Sequence, residues 1–411
     1  MKDMQIIVPH YIMLADRVSS GLAIAFEKTI TKIAPFEELI ELYPHAKVTT
    51  LREHSLIMPG LINAHVHIEF SGNKTQLTYG NFLNWLYSVI DNRADLVNDC
   101  GVSCMTKAID TMLEMGITTF GAISSQAMDL EACAKAKQNV VFFNELIGSQ
   151  ATMADALFGD FVARLDASKQ VQREGFEAAV AIHSPYSVHP ILIKKAVAMA
   201  KNENLKLTAH FMESDAEREW LDNSSGDFQP FFEELLKQKT NVSDAKEFLE
   251  HFNDVPTLFT HAVKLNDDEL ETLSKHNHTV IHCPISNRLL GNGTLNIDAL
   301  EEKKIPWIVA TDGLSSNYGL DLFEEMKISL FMHDEAPLVP FAKALLDGVT
   351  IKAAKALGLN TGEIAEGKNA DMLVIDLQNE PNEQLPLHLL LHRYPICQVY
   401  INGKLEKGEN F

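Results

Sequence analysis

Between about residues 59 and 358, short apolar runs alternate with amphipathic stretches, and this alternation constrains the fold more than any other feature of the chain. Eight runs read as strands: Leu61–His65, Ile117–Ala122, Asn139–Glu145, Ala178–His183, Leu205–His210, Thr257–His261, Thr279–Cys283 and Pro306–Thr311. Helical periodicity falls between them over Phe82–Asp91, Val102–Met115, Ile191–Asn202, Asp267–His276, Leu320–Met332 and Pro337–Leu346, the second of these closed by Gly116 as a C′ glycine. Strand–helix alternation repeated eight times implies a parallel sheet, and eight units close into a barrel. The 411 residues exceed the roughly 250 of such a barrel, which leaves material for a second lobe. Strand-like runs lie at both chain ends: Gln5–Val8, Gly21–Phe26 and Lys47–Leu51, then Asp371–Ile375 and Cys397–Ile401, the last followed by the hairpin pair Asn402-Gly403. The expected architecture is α/β. A TIM-type (β/α)8 barrel spans 59–358, and residues 1–58 and 359–411 form a composite β-sandwich lobe, entered through the polar segment Gly362–Asp371.

Charge narrows the partners. Lys plus Arg number 35 against 56 for Asp plus Glu, a net charge of −21 that repels nucleic acid and anionic membrane surfaces. Hydrophobic content of 46% with 22% charged residues is a globular balance. The opening MKDMQIIVPHYIML has an apolar run broken at Pro9 and His10 and lacks the pattern of a secretory signal, so a cytoplasmic location is expected. No window approaches the ~20 apolar residues of a spanning helix. The five cysteines are scattered and form no CxxC pair; a disulfide framework or zinc ribbon is disfavoured and free buried thiols are expected.

The placement of the 16 histidines is more informative than their number. A barrel of this kind builds its active site from the C-terminal strand ends. There the chain has His65 and His67, Glu145, His183, His210 followed by Glu213, His261, His282, and Asp312. His65 and His67 share a strand face, which is half a metal site; alone, the pair is equally compatible with two core histidines. Adding His210 and Asp312 gives three nitrogens and a carboxylate from separate strands, a ligand set with room for an open position. The order HxxE at His210 rules out the helical HExxH model. Glu213, just past a ligand, is within reach of a water or substrate; otherwise it is a helix-terminal carboxylate beside Ser214. His261 can orient a water or relay its proton, or else serve as a fifth ligand or a structural hydrogen bonder. His183 stands where some binuclear barrel hydrolases carry a bridging lysine, so one metal is the simpler inference. His282 reads as structural and Cys283 as a buried thiol.

The segments PGLINAHVH, TAHFMESDAE, FTHAVKL, HCPISNRLLGNG and VATDG, with the terminal GKNADMLVIDL and VYINGKL, together resemble the amidohydrolase superfamily. Within it they are similar to the adenine-type and nucleoside deaminases, which include S-adenosylhomocysteine/methylthioadenosine deaminases. The resemblance covers nearly the whole chain. It implies that His65, His67, His210 and Asp312 hold one divalent ion, with zinc the best fit to the donors and iron(II) compatible. It also implies that Glu213 is the general acid/base, His261 and Asp312 handle the attacking water, and His183 contacts the substrate. Residues 65–90, HVHIEFSGNKTQLTYGNFLNWLYSVI, look like those of the aminodeoxyfutalosine deaminases of the futalosine route to menaquinone. Trp85 in that stretch is either an aromatic lid over the substrate or an amphipathic-helix core residue. Arg288 and Arg93 are candidate partners for a substrate carboxylate and equally candidate surface cations. The implied reaction is hydrolytic deamination of a free purine nucleoside, and a homodimer is allowed. Rival readings are a sister deaminase acting on methylthioadenosine, S-adenosylhomocysteine, adenosine or guanine, a triazine-type chlorohydrolase, and a non-catalytic scaffold, against which the full ligand set argues.

Overall fold

The computed structural model describes residues 4–73, 76–98 and 100–408, without the side chains of residues 93–95, 97 and 98. Eight strands lie side by side in chain order: Leu61–Val66, Ile117–Ser124, Asn139–Leu146, Phe176–Ile182, Leu207–Phe211, Leu258–His261, Thr279–His282 and Trp307–Val309. Each pairs in parallel with the next. The Asp312 N–H donates to the His65 carbonyl at 3.1 Å, drawing the eighth strand's exit against the first and nearly closing the barrel.

The continuous apolar runs follow from burial of both strand faces. Ile62, Ala64, Ile123, Val141, Phe143, Ala179, Ala181 and Ile281 form one cluster; Phe120, Phe142, Val180, Ile182 and Val280 belong to another, larger one. In the first strand the register slips between Asn63 and Val66, a bulge that re-aims the side chains as the strand enters the site.

The helix expected to end at Asp91 runs from Phe82 to Asn98, its buried face extended by Leu96 beyond the apolar run. The helix expected over Val102–Met115 spans Gly101–Glu114, and Gly116 follows with φ +82°. The chain ends build two sheets. One orders Ile30–Ala34, Ala23–Phe26, Gln5–Val8 and Lys47–Thr50; the other orders Lys404–Lys407, Ile396–Ile401, Met372–Asp376, Ser55–Pro59, Tyr11–Met13 and Val18–Ser20. Met372–Asp376 pairs antiparallel with Ser55–Pro59, so residues from both ends share a ladder. Ile7, Ile24, Phe26, Ile57, Met372 and Tyr400 pack between them. At the Asn402-Gly403 turn Gly403 takes φ +75°, and a Cβ there would collide with the Glu27 carbonyl.

One expectation is corrected. Cys100 and Cys104 form a disulfide, with Cα atoms 4.9 Å apart, while Cys133, Cys283 and Cys397 are free. A separation of four residues spans one helical turn and brings the two side chains onto one face. Looking only for CxxC pairs or a multi-bridge framework overlooks that local pairing. Among the described residues no helix is long and apolar enough to cross a membrane.

Candidate active site

His65, His67, His210 and Asp312 meet at the barrel mouth. His67 Nε2 lies 3.3 Å from His210 Nε2, and Asp312 Oδ1 lies 3.6 Å from both His65 Nε2 and His67 Nε2. His210 Nδ1 donates to the His183 carbonyl at 2.8 Å, which leaves Nε2 as the lone-pair nitrogen. His65 Nε2 is buried with no hydrogen-bond partner, and Thr260 Oγ1 lies 3.2 Å from its Nδ1. Burial pushes His67 down to about 4 and His210 well below the usual imidazole range, the neighbouring rings adding to the shift for His210. Burial alone would raise Asp312, but the adjacent imidazoles of His65, His67 and His261 outweigh it and hold the carboxyl well below its ordinary value. The neutral imidazoles of His67 and His210 beside an ionised carboxylate are donors of the kind a divalent cation requires, and the orphaned buried nitrogen of His65 fits the same occupant.

Backbone conformation is unusual where the chemistry gathers. Met212, His261, Ala262 and Asp312 all have positive φ, between 51° and 73°. Such conformations are costly for non-glycine residues and persist where surrounding contacts over-determine them. Around Asp312 those contacts are the hydroxyls of Ser286 and Ser316, each donating to Oδ2 at 2.8 Å, and the Gly313 N–H donating to Oδ1 at 2.8 Å.

Glu213 and His261 sit beside the four-residue cluster. His261 Nδ1 lies 2.9 Å from Asn287 Oδ1, so Nδ1 carries the proton and Nε2 is bare. That Nε2 is 3.6 Å from Glu213 Oε1 and 3.9 Å from Asp312 Oδ2. Burial raises Glu213 well above the usual carboxyl range, with Asp312 and Glu217 adding to the effect, and holds His261 down at about 4. Glu213 lies outside the following helix, Asp215–Asn223, whose N-cap is Ser214. Its Oε1 accepts from the Asn292 amide at 3.2 Å.

His67, His210, Glu213, His261 and Asp312 line part of a cavity of about 180 Å³. His183 and Tyr186 form part of its wall, and Phe82, Trp85, Leu86, Val89 and Ile90 from the Phe82–Asn98 helix form another part. Trp85 is half-buried and its indole N–H donates to the Ser315 carbonyl at 2.8 Å. His282 lies outside this cavity, buried, with neither ring nitrogen hydrogen-bonded and its ring edge-on to His333. Cys283 is buried and burial raises its thiol. Arg288 is exposed and does not line the cavity, and the side chain of Arg93 lies outside the described residues. Several contributors carry no sequence signal of their own: Asn287 and Asn292 within HCPISNRLLGNG, Ser286, Ser316, Glu217, and Glu145, which the sequence marks only as a strand end. Single polar contacts have no period, whether they sit in short helices (Glu217, Ser286, Asn287), at a strand end (Glu145) or on loops (Asn292, Ser316), and only proximity to the histidine motifs marks them.

The amidohydrolase family model matches residues 56–405. An aminodeoxyfutalosine deaminase of Nitratiruptor is 47% identical over 98% of this chain and 99% of its own. An adenosine deaminase of Helicobacter pylori is 35% identical over 94% of this chain and 95% of its own. The crystal structure of Helicobacter pylori aminofutalosine deaminase in complex with methylthio-coformycin superposes with a TM-score of 0.92 at 33% identity, covering 98% of this chain and all of that one. With its barrel, its strand-end histidines and this extent of match, the chain belongs to the amidohydrolase family.

Proposed function

We propose that this protein is a metal-dependent deaminase that converts the 6-amino group of an adenine-bearing nucleoside, 6-amino-6-deoxyfutalosine, to the 6-oxo group with release of ammonia, a step in menaquinone biosynthesis. The observation that carries the reading is the run Glu213, His261, Asp312: Glu213 Oε1 is 3.6 Å from His261 Nε2, which is 3.9 Å from Asp312 Oδ2, all beside the His65–His67–His210 cluster. The match to the Nitratiruptor enzyme supports the particular substrate.

His65, His67, His210 and Asp312 would hold the ion, and the N₃O donor set favours zinc over iron(II). When bound, the ion supplies Lewis acidity that brings a water's pKa towards neutrality. The chain's own groups manage the protons. His261 presents a bare Nε2 because Asn287 holds its Nδ1, so it can accept a proton from the attacking water, next to Asp312. Glu213, kept protonated by burial and by Asp312, can donate its proton to a purine ring nitrogen as the adjacent carbon is attacked. The proton taken up by His261 then passes to the departing amine, and the remaining proton of the added hydroxyl restores Glu213 as the 6-oxo group forms. The apolar face of Leu86, Val89 and Ile90 suits a substituent at the far end of the nucleoside. A cytoplasmic enzyme acting on a free small molecule, alone or as a homodimer, is consistent with the net charge of −21.

The test is direct. Purified protein with zinc is given 6-amino-6-deoxyfutalosine, adenosine and 5′-methylthioadenosine, and ammonia and the adenine-to-hypoxanthine absorbance change are followed. The futalosine compound should give the highest kcat/KM. Equal rates on adenosine would favour the second reading, an adenosine deaminase, which the 35% identical Helicobacter pylori relative supports.

A further inference from the structure

Glu325 lies on the Leu322–Met332 helix, fully buried and outside the cavity. Its carboxyl group joins two separate segments of the chain. Oε2 accepts the Ile285 N–H at 3.1 Å, and Oε1 accepts from the Asn317 amide at 2.5 Å. Burial pushes the carboxyl well above its ordinary range, with these two N–H donors pulling against it. Burying a polar group of this kind is unfavourable unless its hydrogen bonds are made, and here both oxygens are paired.

Both donors are fixed. Ile285 contributes a backbone N–H. The Asn317 amide cannot turn over, because its Nδ2 also donates to the Thr311 carbonyl at 2.7 Å while its Oδ1 accepts the N–H groups of Tyr318 and Gly319 at 2.7 and 3.1 Å. Each oxygen of Glu325 therefore has to accept. Each segment held in this way carries part of the site. Ile285 is followed on the Pro284–Leu289 helix by Ser286, whose hydroxyl donates to Asp312 Oδ2 at 2.8 Å, and by Asn287, whose Oδ1 takes the proton of His261 Nδ1 at 2.9 Å. Thr311, tied through Asn317, is followed by Asp312 itself, at φ +59°. One buried side chain thus spans the segment that orients His261 and the turn that carries Asp312.

We infer that Glu325 is a positioning residue for the reaction: without touching substrate, it sets Asp312 and His261 against each other at the 3.9 Å seen between Oδ2 and Nε2. The inference rests on the metal-dependent reading of the barrel mouth. Replacing a residue that hydrogen-bonds a metal ligand typically costs about 10–100-fold in metal affinity or activity. Glu325 acts one step further out, through Ile285 and Asn317, so the lower end of that range is expected.

The experiment uses the full chain as wild type, Glu325→Gln and Glu325→Leu. Zinc affinity is measured by competition with a chromophoric chelator. At saturating zinc, kcat and KM are measured for 6-amino-6-deoxyfutalosine, adenosine and 5′-methylthioadenosine, with a melting temperature for each protein. In Glu325→Leu, kcat and zinc affinity should each fall by about 10-fold, with KM within about threefold of wild type because the residue does not line the cavity. Glu325→Gln keeps the volume and one acceptor, so it should lose about threefold on each measure, and it decides the matter alone if Glu325→Leu does not fold. A lowered melting temperature with either kcat or zinc affinity at the wild-type value would make Glu325 a structural carboxyl and overturn the inference. A rise in KM that accounts for the whole loss would also overturn it, since the residue would then act on the substrate pocket. If wild type deaminates none of the three nucleosides, the deaminase reading falls, and the zinc comparison by itself still decides whether Glu325 positions Asp312.

Discussion

Glu217 grips the backbone of Glu213: its Oε2 accepts the Glu213 N–H at 2.7 Å while Oε1 accepts that of Met212 at 3.0 Å. Met212 has φ +51°, so one carboxylate secures both a left-handed residue and the acid/base candidate that follows it. Glu217→Gln puts an amide N–H₂ where one of two N–H groups needs an acceptor. A displacement of about 1 Å at a reacting group can cost on the order of 100-fold, so kcat should fall by at least about 10-fold. Bound metal should stay at the wild-type level, since no proposed ligand is touched. Steady-state kinetics with elemental analysis checks both halves, and unchanged kcat would show that the loop holds itself.

The same residue makes a pH prediction. Burial pushes Glu217 up to about 7 from an ordinary 4.5, against the opposing pull of the Glu213 and Met212 N–H groups and Arg218. A carboxyl whose folded pKa is raised binds its proton more tightly when folded. Its contribution is complete below about 4.5 and is lost as pH rises through about 7. Glu217→Gln does not titrate, so unfolding free energy of wild type minus variant should decrease between pH 4.5 and 7 and then level off. The whole change is bounded by about 3 kcal/mol. Denaturant melts at pH 5 and pH 8 measure it; a difference that grows with pH would refute the assignment.

The barrel was legible because strands buried on both faces leave unbroken apolar runs, and the candidate metal-binding residues because they lie at or just past the ends of such runs. His65, His67, His210 and Asp312 come together in space although 247 residues separate the first from the last. What stayed hidden lacks periodicity. Tyr11–Met13 and Val18–Ser20 are three-residue strands, too short to alternate visibly, and are defined by their partners. The Cys100–Cys104 bridge depends on helical geometry rather than on a spacing motif. Glu217 and Asn287 act on backbone and on a ring nitrogen, and neither contact has a sequence pattern.

Glu213→Gln keeps the side chain's size and its capacity to accept from Asn292 but removes the transferable proton. Proton transfers of this kind contribute about 10²–10⁴-fold, so turnover should drop by that range while the metal is retained. Near-wild-type activity would remove Glu213 from the chemistry.

Metal removal should cost stability as well as activity. A ligand that binds only the folded state adds about 2.7 kcal/mol at a hundredfold excess over its dissociation constant. Treatment with a chelator should therefore lower the melting temperature of wild type, and added zinc should restore it. In His67→Ala the chelator should have little effect, because one of the converging nitrogens is gone. Scanning calorimetry with and without chelator separates the two cases, and an equal response in both proteins would place the ion elsewhere.

Trp85 fastens the Phe82–Asn98 helix over the cavity through its indole bond to the Ser315 carbonyl, three residues past Asp312. Trp85→Phe keeps an aromatic face but breaks that bond, worth about 1 kcal/mol. If the helix acts as a wall against the substrate's far end, KM for 6-amino-6-deoxyfutalosine should rise by roughly fivefold, the kinetic equivalent of that energy, with kcat much less affected. The shift should be smaller for adenosine, whose 5′-hydroxyl reaches less of the apolar face of Leu86, Val89 and Ile90. Parallel kinetics on the two nucleosides decides the matter, since an equal rise in KM for both would mean that Trp85 stabilises the helix without reading the substrate's length.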